Sequence, residues 1–242
     1  MSPHPLEHLR YLARSWEPGE EPPMGEVASV LGELATESPT VLLQACRRLI
    51  EYFPASGPVW WMSARVLSAA DPAEAVWQAA DELSDDPTWR LLADALPPSG
   101  AVAMPEVPRQ AALAMRRRRD VAVERKPGRA GLLVVSPLAA GPGDVLLGGR
   151  VAGAVSQAVK HGKPVWAVVP RGVVLPAALW EQVLLRTGLS GDPSASPASL
   201  ALAVLAGGVF DRAVSEGGTG AVDDALSKST CPAAAELLGW KS

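Results

Sequence analysis

Leu132-Leu-Val-Val-Ser136-Pro-Leu-Ala-Ala-Gly141-Pro-Gly143-Asp144-Val-Leu-Leu-Gly148-Gly149-Arg150 leads through a helix-length segment, residues 149–161, to Lys163-Pro-Val165-Trp-Ala-Val-Val169. Two apolar runs of strand length with a helix between them make one strand–helix–strand crossover. Both runs are apolar at nearly every position instead of alternating, the pattern of strands covered on two faces, so the crossover implies a parallel sheet. Outward from it, strands are expected at residues 101–104 and 121–123 and near 209–213, and helices at 108–118 and 176–187.

Upstream of Pro97-Pro98-Ser99-Gly100 the pattern changes. Leu6, Leu9, Leu12 and Trp16 recur at helical spacing, and a proline-rich connector to Pro23 follows. Met24, Val27, Leu31 and Leu34 mark a second amphipathic helix. The next starts share one chemistry: Ser38-Pro39, Gly57-Pro58, Asp71-Pro72 and Asp86-Pro87 each place a cap-type residue before a proline, and Glu74 completes a capping-box spacing with Asp71. The expected organisation is an N-terminal helical arm and linker (1–23), a helical domain (24–98) and a compact Rossmann-like α/β domain (99–242).

The chain has 242 residues, 48% hydrophobic and 20% charged, with a net charge of −4, which suits a folded chain with a sizeable core. No apolar run reaches the ~18 residues of a membrane span and no leader precedes the first helix, so a cytoplasmic protein with no membrane partner is expected. Two cysteines and three histidines offer neither a disulfide framework nor metal-ligand spacing, so no metal and no cofactor are expected. The acidic balance argues against nucleic acid as a general partner. Arg116-Arg117-Arg118-Arg119 reads as a solvated helix end, since consecutive helical residues point around the axis, and no aromatic residues interleave with it or with Lys126 and Arg129. Cys46 reads as a buried thiol, Trp60 and Trp61 as core anchors, and His161 as a dipole-matched helix end.

In open α/β sheets ligands bind beyond the carboxyl ends of strands, and free N–H groups at a glycine-rich helix start attract anions. Ser136, Gly141, Gly143, Asp144, Gly148, Gly149 and Arg150 are therefore the candidate ligand and phosphate site. The glycines match neither the dinucleotide fingerprint nor the P-loop, and a tight turn with close packing explains them equally well.

The same stretch, with Ala158-Val-Lys160-His-Gly-Lys-Pro164-Val-Trp, resembles the C-terminal core of the superfamily that unites the regulatory subunits of eukaryotic initiation factor two-B with methylthioribose-phosphate and ribose-bisphosphate isomerases. That family reads roughly L-V-L-V-G-A-D-R, N-G-D-V, a Gly-Thr helix start and A-K-x-x-G-I-P-V. Pro54-Ala-Ser-Gly-Pro-Val-Trp-Trp61-Met-Ser-Ala-Arg65-Val-Leu67 is similar to its helical segment P-T-A-V-N-L-x-W-A-x-x-R-M-L, and Ser229-Thr-Cys-Pro232 to its threonine-proline turn. The resemblance implies a sugar-phosphate or nucleotide pocket and pairing into a homodimer. Its isomerases use a cysteine in a Thr-His-Cys-Asn loop and the aspartate of Gly-Ala-Asp-Arg. Here Leu138 stands at the aspartate's place and the cysteine loop is missing, so a non-catalytic regulatory relative, a pseudoenzyme, is the expectation. The alternatives are an aldose–ketose isomerase working through Asp144 or Cys231, and a protein-interaction scaffold with an empty pocket. Residues 164–185 are rich enough in Val, Leu and Trp to suggest that part of this face meets a second subunit, unless residues 200–240 fold back over it.

Overall fold

A computed structural model describes residues 22–189 and 202–240; the arm read at residues 4–16 lies outside them. Five helices come first: α1 (Met24–Ala35), α2 (Pro39–Tyr52), α3 (Gly57–Leu67), α4 (Pro72–Ser84) and α5 (Thr88–Ala95). Their starts follow the cap chemistry, with one instructive exception. The Ser38 hydroxyl accepts the Val41 N–H at 3.2 Å, the Asp71 carboxylate that of Glu74 at 3.0 Å, and Asp86 that of Thr88 at 2.8 Å. Gly57 is no cap. It is the first residue of α3, donates its N–H to Leu138 O at 2.8 Å, and approaches Val173 so closely that a Cβ would lie 2.8 Å from its carbonyl oxygen.

From residue 100 strands and helices alternate: β1 (Gly100–Ala103), α6 (Arg109–Arg117), β2 (Val121–Glu124), β3 (Leu132–Val135), β4 (Ala139–Gly141), β5 (Asp144–Gly148), α7 (Gly149–Lys160), β6 (Val165–Val169), α8 (Ala177–Arg186), β7 (Leu202–Ala206), β8 (Arg212–Ser215), β9 (Gly218–Gly220) and α9 (Val222–Leu226). The main sheet has the order β2-β1-β3-β6-β8-β9, parallel up to β8, with β9 turning back antiparallel. It is an α/β fold, as the apolar strands require. Leu133, Val135, Val165 and Ala167 pack with α7 and α9 on one face, while Leu132, Val134, Val168 and Val214 pack with α5 and α6 on the other. Near residues 209–213 the expected strand starts later: Gly207–Val209 is a 3-10 turn, and β8 begins at Arg212.

Residues 136–150, expected as a glycine-rich loop, are instead a hairpin. β4 and β5 pair antiparallel, Gly141 opposite Asp144, around Pro142-Gly143, and β7 adds a third strand with Leu146 opposite Val204. Gly143 has φ +87°, the positive value that a type II turn with proline before it requires and that glycine adopts without strain.

The helices do not stand apart from this. One core cluster joins Leu31, Leu49, Trp60, Trp61 and Val76 to Leu146, Leu175, Trp180 and Val183 and to Cys231, Ala234 and Leu237 of the C-terminal segment. Much of the apolar supply at 164–185 is consumed there and against β3 and β8. Leu175, Leu179 and Val183 have no exposure, and the C-terminal segment is fastened over α8 by Arg186 Nη2 to Trp240 O at 2.7 Å and Gly239 N–H to Gln182 Oε1 at 3.4 Å. The surface expected to face a second subunit is thus covered in large part by the chain itself.

Candidate functional site

The site assembles where β6 and β8 end. Beyond Val169 the chain runs Pro170-Arg171-Gly172, and beyond Ser215 it runs Glu216-Gly217 into β9. The strands are neighbours, Val169 opposite Ser215, so the two turns face each other. Asp86, only 2% exposed, positions the first of them: its Oδ2 accepts the Arg171 N–H at 2.8 Å and Gln110 Nε2 at 3.4 Å, while Oδ1 accepts both donors of Thr88. A buried carboxylate with four donors clips the α4–α5 connection to the β6 turn.

The Arg171 side chain spans the molecule from there. It donates Nε and Nη2 to Glu216, Nε at 2.8 Å, and Nη1 to Glu82 of α4 at 3.1 Å; Glu82 in turn takes Arg65 of α3 at 2.6 Å. These carboxylates hold the Arg171 guanidinium charged, raising its pKa against the opposing effect of burial. Arg65 also lies 5.0 Å from the ring centre of Trp61, whose indole N–H reaches Thr230 Oγ1 at 3.4 Å. Arg65 and Ser229-Thr-Cys-Pro232, quoted from separate stretches of sequence, therefore meet at one place.

Between these parts lies an open pocket of about 460 Å³, lined by the Arg171 and Glu216 turns, residues 217–221, and Asp224, Lys228 and Thr230. The volume suits a small polar metabolite. Lys228 and the hydroxyls of Ser215, Thr219 and Thr230 can bind an anion or sugar oxygens, and Asp224 can accept sugar hydroxyls. No imidazole or thiol lines the cavity. Cys231 sits just behind it, and burial pushes its thiol up to about 12 despite the Arg65 charge; Cys46, buried against Ser63, is likewise raised to about 12. Both are protonated at neutral pH and are not nucleophiles there. Among the described residues no group of three or more His, Cys, Asp or Glu could hold a metal ion.

The residues singled out in sequence do not converge. Gly141, Gly143 and Asp144 form the hairpin turn; Gly148, Gly149 and Arg150 lie at the other end of β5, roughly 13 Å away for four strand steps. Gly141 is glycine because a Cβ would fall 2.2 Å from Trp180 Cγ. Gly143 O accepts the Gly207 N–H at 2.7 Å, and Ser136 Oγ donates to Val168 O at 3.1 Å. Beside the α7 start stands Glu106, its Oε1 3.8 Å from where a Gly148 Cβ would be. Burial raises this carboxyl's pKa while Arg150 draws it down. The chain thus supplies its own carboxyl at that helix end. Leu138 is tied to α3 through its carbonyl. The strand-end rule, taken at β6 and β8 instead of β3, leads to Arg171, Glu216 and Lys228; the signal in the sequence is Pro170-Arg-Gly172, which directly follows the best-defined strand.

Helices ahead of a doubly covered, mostly parallel sheet, with a polar pocket at the carboxyl ends of its strands, define an α/β fold. More particularly, the chain has the fold of the initiation factor two-B and methylthioribose-phosphate isomerase superfamily. It is similar to a chain of the tetrameric eIF2B-beta2-delta2 complex from C. thermophilum (13% identity over 92% of this chain and 93% of that one, TM-score 0.67). It is similar also to the translation initiation factor eIF-2B of Pyrococcus horikoshii (10%, 91% and 98%, 0.63) and to the 5-methylthioribose 1-phosphate isomerase of the same organism (13%, 92% and 86%, 0.59). No protein-family model matches the chain, and no curated protein does. No described helix is long and apolar enough to cross a membrane.

Proposed function

We propose that this chain is a non-catalytic regulatory protein that binds a phosphorylated sugar or nucleotide in the cavity between the β6 and β8 turns and works as a homodimer. The observation that carries the reading is the lining: Lys228 and the glycine-rich segment 217–220 can offer donors to a phosphate, while Asp224 and the hydroxyls of Thr219 and Thr230 can pair with those of a ribose. A relative by fold acts on 5-methylthioribose 1-phosphate, and another assembles as a tetramer, which supports the ligand class and the self-association. Against turnover stand the leucine at position 138, where the resembling isomerases have an aspartate, and the missing Thr-His-Cys-Asn segment; the Cys231 thiol, which burial keeps protonated, does not replace it. The test is calorimetric titration with ribose 5-phosphate, 5-methylthioribose 1-phosphate and AMP, alongside proton NMR of each mixture over a day. One of the three should bind, Lys228→Glu should weaken it at least tenfold, and the ligand should be recovered unchanged. No heat from any of them removes the binding proposal; an isomerised product removes the non-catalytic one.

A further inference from the structure

The opposite edge of the sheet carries a charge pattern that the cavity does not use. Residues 109–129 hold eight arginines and lysines against Asp120 and Glu124, a local charge of +6 in a chain of −4, so the rest of the molecule carries −10. The arginine run is the helix end that its sequence suggests, but it is not solvated throughout. α6 stops at Arg117, and Arg118 turns inward, giving Nη1 to Ala93 O and Leu96 O at 2.8 and 2.9 Å and Nη2 to Pro97 O at 2.6 Å. Arg116, Arg117 and Arg119 stay exposed and lead into the amino end of β2, the edge strand.

On the other side of that four-residue strand come Arg125, Lys126 and Arg129, all exposed, in the crossover to β3. Lys163 pins this crossover to the turn before β6: its Nζ donates to the carbonyls of Pro127, Gly128 and Ala130. It brings a further positive charge, and Lys160 ends α7 in the same turn. Arg116, Arg119, Arg125, Lys126 and Arg129 have no carboxylate partner among the described residues. From residue 119 to 125 the extended chain spans roughly 20 Å, so the charges flank a strip and do not form a point.

We propose that this strip binds the phosphate backbone of a double-stranded nucleic acid, without reading its bases. A row of unpaired guanidiniums facing water fits an extended polyanion, whose condensed counterions are released on contact. The surface is unlike a protein-binding one, whose centre is apolar and depleted in charge: Val123 is the one large apolar side chain exposed within 109–129. No aromatic ring lies within these residues to stack unpaired bases, which favours duplex over single strand. Protection of a sheet edge needs only a charge on the strand itself, which Glu124 of β2 supplies, so the arginines and lysine at its flanks go beyond that need.

The test is fluorescence anisotropy of the full chain with labelled 24-base-pair RNA and DNA duplexes, a single strand of the same length, and poly-glutamate. Duplex of at least one kind should bind at 50 mM salt and bind more tightly than the single strand. Neutralising about four phosphates should weaken DNA binding about 100-fold at 200 mM salt. R116E/R119E/R125E/R129E should lose at least tenfold in affinity with an unchanged melting temperature, since none of the four is bonded within the fold. Lys228→Glu in the cavity should leave duplex binding intact, so that failure here and failure of the cavity reading are told apart. Absence of duplex binding at 50 mM salt, binding untouched by the fourfold change, or tighter binding of poly-glutamate would each overturn the proposal, the last in favour of an acidic protein partner.

Discussion

Cys46 and Cys231 show how burial alone sets the chemistry of a side chain. With both thiols moved from an ordinary 9.0 to about 12, the folded state keeps its protons while the unfolded state loses them above pH 9. Stability should then be flat from pH 7 to 9 and fall between about 9 and 12, by up to about 1.4 kcal/mol per pH unit for each thiol. Urea midpoints measured across this range check the sign: the C46A/C231A variant should start lower, because it leaves cavities, yet decline less steeply. Iodoacetamide at pH 8.5 should label both cysteines in urea and neither in the folded chain. The same reasoning accounts for Gly141, whose missing Cβ is what lets the Trp180 ring lie on the hairpin.

Between elements, the decisive contacts are polar clips that cross from helices to sheet. Asp86 is the clearest. Asp86→Ala would leave buried donors of Thr88, Gln110 and Arg171 without an acceptor, at a cost of about 3 kcal/mol. Because the Arg171 turn forms one wall of the cavity, affinity for the phosphorylated ligand should fall together with the urea midpoint. An unchanged affinity would place the ligand elsewhere. Such clips mark the limit of what the sequence discloses. β6 is legible to the residue because an apolar run stands between Pro164 and Pro170, and the helix starts because serine or aspartate precedes proline. β4 and β5 are hidden by their alanines and glycines and by a third strand that arrives only at Leu202. Arg171 and Glu216 are 45 residues apart and become partners only because β6 and β8 are adjacent, a fact of topology and not of spacing.

At the scale of the whole molecule, the proposed homodimer must use a surface that the chain has not already covered. Trp180 is 5% exposed and packs on Gly141, so its replacement by aspartate would strip the core and say nothing about association. Leu185 of α8 is 59% exposed and Leu238 of the C-terminal segment 37%. The bonds from Gln182 to Gly239 and from Arg186 to Trp240 hold these two elements side by side, and the Trp240 ring lies under Arg186, 3.4 Å from its centre. The two leucines thus belong to one surface built from a helix and a strap, a shape that a twofold axis can set against its own copy. A stable pair would need about 1,200 Å² or more of buried surface, so these side chains would form its centre and polar neighbours its rim. Light scattering at micromolar concentration should give twice the 25.2 kDa of one chain. Leu185→Asp should return the mass of a single chain without lowering the melting temperature, since an exposed leucine contributes nothing to the monomer's core. A wild-type mass of one chain would end the dimer proposal, and a dimer indifferent to Leu185→Asp would move its interface to another face.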